Sequence, residues 1–369
     1  MKAWQDERCS WLGLYLVSGL GHTVLRSLLE YFGGPEAVFE AGVSELVKVS
    51  GVREEIARKI AGKEFSSDPE KELRKVERAG ARIVTYLDPS YPKFLKEIHH
   101  PPVLLYVKGK DIPSNQTLIA VVGSRNATHY GLRAAEHIGM GLARRRVGVV
   151  SGLARGIDSA AHRGCLRGKG FTIAVMGTGI DRIYPTGNKR LLDQVTESGA
   201  VITEFPMGSP PEPRNFPIRN RIISGLNRGV VVVEATKQSG SLITASLALE
   251  QGREVFAVPG SINSFKSTGT HFLIKQGAKL IENADDILDE FGFHRGAAQE
   301  SNGLREPAGE LFEMDELQKK LYDIICDYPI HIDQIVRKGD MDAGEVSSIL
   351  MEMELKGLVK QLPGKMFVR

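Results

Sequence analysis

Residues 117–158 read TLIAVVGSRNATHYGLRAAEHIGMGLARRRVGVVSGLARGID, and the succession of patterns inside this stretch decides the fold class. TLIAVVG is an apolar, β-branched run of the kind that a strand buried on both faces supplies. After Tyr130 apolar residues return at three- and four-residue steps, the period of a helix with one buried face, and VGVVSG is a second buried strand. The three segments make one β-α-β unit, and each strand ends in glycine beside a polar residue. In an open parallel sheet, the carboxyl ends of the strands and the amino ends of the next helices share one edge, where backbone amides and helix dipoles favour anions. Function is expected at that edge.

Outward from this unit the same alternation continues. FTIAVMGTG, AVITEF, GVVVVEA, EVFAVPG and the short KLIEN are strands separated by helical segments, so the chain to about Asp289 reads as a doubly wound α/β domain. Upstream, a short helix and the strand ARIVTYLD lead to DPSYPKFLKEIHHPPVLLYVKG (88–109). There Pro89, Pro92, Pro101 and Pro102 predict an extended crossing segment before the sheet. The N-terminal region shows an approximate duplication. VSGLGHTVLRSLLEYFG (17–33) and VSGVREEIARKI (49–60) both set Ser-Gly before a helical pattern, as helix-hairpin-helix units do. A small helical module used for packing or protein contact fits the same residues.

AGKEFSSDPE (61–70) marks a first linker and residues 291–310, mixed Gly, Ala and polar, a second. Beyond it DELQKKLYDIICDY, HIDQIVRKG and DAGEVSSILMEMELKG are helical patterns, and LVKQLPGKMFVR is a hairpin turning at Pro363-Gly364, which together outline a winged helix. Its third helix carries Asp342, Glu345, Glu352 and Glu354 against Lys356, a poor match for a duplex groove and a better one for a protein-contact or regulatory module. The expected organisation is a helical SAM or helix-hairpin-helix-like domain (1–66), an extended Rossmann-like core (67–290), a linker (291–310) and a winged helix (311–369).

Composition narrows the class. With 369 residues, 42% hydrophobic and 25% charged, the chain is an ordinary globular one long enough for two or three domains. Cys9, Cys165 and Cys326 are too scattered for a disulfide framework or a zinc motif, and no cofactor is expected. No apolar run approaches membrane-spanning length and MKAWQDERCS lacks a signal-peptide core, so the expected address is the reducing cytoplasm. Residues 117–290 hold 21 Lys and Arg against 15 Asp and Glu, a surplus of six compatible with a polyanionic partner.

Two phosphate loops of fixed spacing are missing. There is no GxxxxGK[ST], and no GxGxxG follows the first strand. Instead the loops after successive strands are rich in small residues and arginine: Gly123-Ser124-Arg125, then Ser151-Gly152 with Arg155-Gly156 and Asp158, then Gly177 and Gly179 with Arg182. Lys237, Ser239, Gly240 and Ser241 open the helix SLITASLALEQ, and Arg219-Asn220-Arg221 enter the helix NRIISGL. Small residues let amides approach an anion, and arginine offers a fork of donors. Together they predict a groove for several phosphates, with Arg125, Arg219, Arg221 and Lys237 as donors and the glycines as points of close approach. Asp158 and Asp181 read more plainly as acceptors for nearby backbone amides.

At GSR, SGLARGID, GTGIDRIYP, FPIRNRIISGL, SGSLITA and VFAVPG the chain resembles the DNA-processing protein A family, also called DprA or Smf, over residues 88–288. The resemblance implies a non-enzymatic, dimeric protein that binds single-stranded DNA on a Rossmann-like core and loads the RecA recombinase during natural transformation. It implies DNA-binding roles for Gly123, Ser124, Arg125, Ser151, Gly152, Gly156, Asp158, Gly177, Gly179, Arg219, Asn220 and Arg221, with Lys237, Ser239, Gly240 and Ser241 completing the edge. It also points to His271 and Leu280 as the dimer and partner surface. Where many members have a basic residue after the tyrosine-proline, this chain has Thr186, with Lys189 and Arg190 nearby.

A competing reading is a nucleotide-hydrolysing enzyme resembling the phosphoribohydrolases, whose PGGxGTxxE loop would fall on TKQSGSLITASLALE, with Glu250 and Arg221 as its test residues. Thr244 stands where that chemistry wants an acid or base. A third reading, a sequence-specific regulator, would need the winged helix to hold duplex DNA against its own charge.

Overall fold

The fold is that of a computed structural model, which describes residues 6–113, 115–292, 315–325, 329–356 and 358–368. Most of the expected linker 291–310 and Cys326 lie outside the described residues. The chain divides into two compact units, Met1–Ala127 with Leu132–Ile287, and Thr128–Gly131 with Leu288–Arg369.

In the first unit, α1 (Glu7–Tyr15), α2 (His22–Phe32), α3 (Pro35–Glu40), α4 (Val43–Leu46) and α5 (Glu54–Ala61) pack around Trp11, Leu14, Leu28, Leu46 and Ile60. Asp6 caps α1 by accepting from the Arg8 amide, and Gly33, at φ +83°, ends α2 in the left-handed conformation. The two halves of the duplication face each other. Gly19 and Gly51 both have positive φ; a Cβ on Gly19 would lie 3.5 Å from Ile56 of α5, and one on Gly51 would lie 3.2 Å from Val24 of α2. Each glycine turn seats the helix of the other copy. Leu12 of α1 and Leu16 at its C-cap face away from this cluster and pack with Val76, Ile83 and Leu104, so the helices and the sheet share α1.

The sheet follows: α6 (Pro69–Arg78), β1 (Ala81–Thr85), α7 (Lys93–Lys96), β2 (Leu104–Gly109), β3 (Leu118–Val122), α8 (His129–Arg144), β4 (Gly148–Ser151), α9 (Ile157–Arg167), β5 (Thr172–Val175) and α10 (Lys189–Ser198). Then come β6 (Ala200–Thr203), α11 (Asn215–Gly225), β7 (Gly229–Val232), α12 (Gly240–Glu250), β8 (Glu254–Ala257), α13 (Thr268–Lys275), β9 (Lys279–Leu280) and α14 (Ala284–Glu290). The strand order is β1-β2-β6-β5-β4-β3-β7-β8-β9. From β6 to β9 all neighbours are parallel, with Ala120 opposite Val150 on one side of β3 and Val230 on the other.

One expectation changes. Residues 88–109 do not simply cross in front of the sheet, because their last part is β2, antiparallel to β1 and to β6. Pro101 and Pro102 stop short of it, and LLYV offers apolar side chains to both faces, as a covered strand requires.

Alternate residues divide between two cores. Leu105, Val107, Ala120, Val122, Ile173 and Ile202 pack under α7, α11 and α12, while Leu104, Tyr106, Ala174 and Val201 pack under α1, α6 and α10. This is a doubly wound, Rossmann-like sheet extended by an antiparallel edge.

In the second unit, α15 (Glu316–Ile324), β10 (Ile330–His331), α16 (Ile332–Gly339), α17 (Ala343–Leu355), β11 (Lys360–Leu362) and β12 (Met366–Val368) form a winged helix around Leu321, Ile335, Leu350 and Phe367. Strand β12 lies between β10 and β11, and Gly364 at φ +82° makes the wing's turn. Three of the four acids singled out here have local work: Asp342 caps α17, Glu352 accepts from Gln318, and Glu354 accepts from the Gln361 amide.

Candidate functional site

The chain runs β3 to β6 in one direction across the sheet and returns to place β7 on the other side of β3. At such a reversal the loops leaving the two central strands part, opening a crevice at their carboxyl ends. A cavity of about 660 Å³ lies there, within the size range of small-ligand pockets. It is lined by Gly123, Ser124, Arg125 and Asn126 after β3, Ala154 and Asp158 after β4, Phe216, Arg219 and Asn220 of α11, and Ser239, Gly240 and Ser241 at the start of α12. Tyr184, Ile243, Phe265 and Lys266 complete its rim.

Its lining carries Arg125, Arg219 and Lys266 against one carboxylate, Asp158. Asp158 is buried and accepts from the amides of Gly152 at 3.1 Å and Ala154 at 3.3 Å, so it shapes the β4–α9 loop, as the plainer reading expects. Burial raises its pKa above the ordinary carboxylate value, opposed by Arg219 and the two amides. Arg219 is 4% exposed, and its Nη1 donates to the carbonyls of Gly152 and Val175 while Nε donates to Asn220. Burial lowers its pKa to about 10, with Asp158 acting the other way, and it remains a cation at neutral pH. It braces the ends of β4 and β5 from beneath the cavity and supplies positive potential through the floor. Arg125 is exposed at the rim, its guanidinium 5.2 Å from the Phe216 ring centre.

Helix α12 begins at this wall, with the first-turn amides that lack intrahelical partners. Ser239 accepts from the Thr236 amide at 2.9 Å and closes the preceding turn. The Ser241 hydroxyl is buried in the lining without a hydrogen-bond partner. Gly240 has nothing within 4 Å of where a Cβ would stand.

The predicted residues therefore sort by position. Gly123, Ser124, Arg125, Asp158, Arg219, Asn220, Ser239, Gly240 and Ser241 come together on the cavity. Arg221 does not. It turns away from Arg219, donates to His100 O and pairs with Glu204, which is 1% exposed, so it anchors the 99–102 segment rather than a ligand. Ser151 is buried and spends its hydroxyl on Val121 O. The glycines also differ from expectation, because protein atoms occupy the space that a side chain would take. A Cβ on Gly156, at φ +78°, would sit 2.2 Å from Ser124 O; on Gly152, 2.7 Å from the Arg219 guanidinium; on Gly177, 3.0 Å from the Phe216 ring; on Gly179, 2.6 Å from Pro206 O. These four let the loops interlock. Arg155, Arg182 and Lys237 are exposed and lie outside the lining, and Asp181 accepts from the Gly208 amide at 2.7 Å. Leu280 is exposed on β9 at the sheet's edge, while His271 bonds Gly260 O at 3.0 Å.

Phe265 and Lys266 are site residues that the sequence reading missed. A signal was present: VFAVPGSINSFKS leaves the same edge as the loops already singled out, after β8, and contains both a cation and an aromatic ring. For the hydrolase reading, Glu250 ends α12 about 15 Å of helix away from the cavity wall where the helix starts. Among the described residues no group of three His, Cys, Asp or Glu could hold a metal, and no helix is long and apolar enough to cross a membrane. Cys9 and Cys165 are buried and unpaired.

Comparison with known proteins gives a consistent set of relatives. Residues 82–292 match the family model described as DNA recombination-mediator protein A, and residues 305–365 match the DprA winged helix domain. Protein Smf of Synechocystis sp. is 36% identical over 99% of this chain and 99% of its own. The X-ray structure of DNA processing protein A from Streptococcus pneumoniae has a TM-score of 0.70 and 40% identity, covering 79% of this chain and 99% of that one. DNA processing protein A of Helicobacter pylori, in a structural study of its single-stranded DNA binding mode, has a TM-score of 0.52 and 27% identity, covering 58% of this chain and 98% of that one.

Proposed function

Because this chain belongs to the DNA recombination-mediator protein A family, the DprA/Smf proteins, we propose that it binds single-stranded DNA across the cavity at the sheet's carboxyl edge and loads RecA onto the bound strand. The observation that carries the reading is the convergence at the topological switch point of Arg125, Lys266 and the start of α12 on one open cavity whose floor is the buried Arg219 cation. Phosphates would meet cationic donors there, and the reading is one of binding. Asp158, the acid in the lining, is already committed to two amides.

The same family membership supports a homodimer, with His271 and the exposed Leu280 of β9, the last strand of the sheet among the described residues, as its surface, and a cytoplasmic address. The acids of the third winged-helix helix, Asp342, Glu345, Glu352 and Glu354 against Lys356, support a protein-contact role for that module over a duplex groove.

The direct test is fluorescence anisotropy of labelled oligothymidine with the full chain and with Arg125→Ala. Binding by the wild type and a loss in the variant are expected; equal affinities would remove Arg125 from the site. RecA loading is tested by RecA's ATP hydrolysis on DNA coated with single-strand-binding protein. Stimulation by this protein is expected, and an unchanged rate would overturn that part of the reading.

A further inference from the structure

The cavity's aromatic rings are not equivalent. Phe216 has the Arg125 guanidinium 5.2 Å and the Arg219 guanidinium 5.9 Å from its ring centre, and the Tyr184 ring 5.6 Å away. Its contacts are filled by the protein itself, which suits a spacer that holds two cations in place. Phe265 is the opposite case. It lines the same cavity and is 75% exposed, a large apolar ring left in water at the rim of a cationic site.

That ring is not on a slack loop. Its own carbonyl accepts from the Thr268 hydroxyl at 2.8 Å, the next residue but one, Ser267, is buried, and Lys266 donates through Nζ to Asn126 O, beside Arg125. An ammonium has three protons, so this tether leaves Lys266 with donors for a phosphate. A ring held open on the same cavity as two cations suits a nucleotide chain, in which every base is flanked by phosphates. Phenylalanine has no polar group to read a base edge, so such a platform takes any base.

We propose that Phe265 is a base-stacking residue: bases of a bound single strand lie on its ring, while Arg125 and Lys266 hold the adjoining phosphates. This rests on the reading of the cavity as a single-strand site and adds where the bases go.

Two oligonucleotides of equal length separate the terms, oligothymidine and an abasic strand with the same sugar-phosphate backbone. Wild type is expected to bind oligothymidine more tightly than the abasic strand. Phe265→Ala is expected to lose at least about fivefold on oligothymidine, the lower end for one stacked base, and little on the abasic strand. Phe265→Trp is expected to keep oligothymidine affinity and to show indole quenching with that strand alone. Wild type that binds both strands equally, or Phe265→Ala that loses the same factor on both, would overturn the stacking role while leaving the phosphate site standing. Wild type that binds neither strand would overturn the single-strand reading itself, and the stacking role with it.

Discussion

Arg125, Arg219 and Arg221 are close in type and in the family's motifs, and burial gives them three different jobs. Arg125 is exposed on the cavity's rim, Arg219 is a buried brace under it, and Arg221 closes a buried ion pair with Glu204 elsewhere. A charged hydrogen bond to phosphate contributes about 1.5–3 kcal/mol, so Arg125→Ala is expected to weaken single-strand binding roughly 10- to 150-fold and to leave the melting temperature within a degree or two. Arg221→Ala is expected to do the reverse. It leaves the Glu204 carboxylate buried without its partner, a loss on the order of 3–5 kcal/mol that thermal or denaturant unfolding would record, with little change in affinity of the folded protein. If Arg221→Ala instead weakened binding without loss of stability, the assignment of its side chain to the ion pair would be wrong. The difference between Arg219 and Arg221 was readable in advance. Residues two apart on a helix do not share a face, so one helix could not aim both at one groove.

At the scale of elements, β3 to β8 were legible because each is a short apolar run bounded by glycine or polar residues, and β9 was read from the short KLIEN. Strand β2 was hidden by the four prolines before it, which announce an irregular path more strongly than LLYV announces a strand. The glycines show a different limit. Sequence tells that no side chain is tolerated at Gly152 or Gly156 but not whether a phosphate or a protein atom fills the space, and here it is Arg219 and Ser124 O.

The contact between α9 and β5 supplies a pH test. His162 is wholly buried; Thr172 donates to Val149 O and so accepts from His162 Nδ1, leaving Nε2 unprotonated and without a partner. Burial, with Arg163 and Arg219 adding to it, lowers its pKa to about 3. Below about pH 6.5 the unfolded chain takes up a proton that the folded chain refuses, so this contribution to stability is complete above pH 6.5 and is lost as pH falls toward 3. At its steepest the loss is about 1.4 kcal/mol per pH unit. His22, lowered to about 4 by burial and Arg221, acts in the same sense, while the raised carboxyls of Asp158 and Glu204 act in the opposite one. Comparison with His162→Asn cancels those groups: its melting temperature is expected to fall less between pH 6.5 and 4 than that of the wild type. Parallel slopes would mean that His162 is not held neutral.

For the whole molecule, the sheet's two edges are unequal. On one side β1 and β2 cap the parallel strands, while β9, two residues long and carrying the exposed Leu280, ends the other. Among the described residues no strand pairs with β9 on its outer side, so the proposed homodimer would add there, and on that proposal Leu280→Glu is expected to reduce the protein's molar mass in solution to that of a monomer. A mass unchanged from that of a wild-type dimer would place the dimer surface elsewhere.

The central claim is that phosphates of a single strand are held across the cavity at the β3–β7 switch point. It is tested most directly by anisotropy titrations of oligothymidine and of a duplex of equal length at several salt concentrations. The expected result is preference for the single strand, with log affinity falling against log salt by about 0.7 per phosphate neutralised, and a slope reduced by about that amount in Arg125→Ala. Absence of binding at low salt, or single-strand binding that salt and Arg125→Ala leave unchanged, would contradict it.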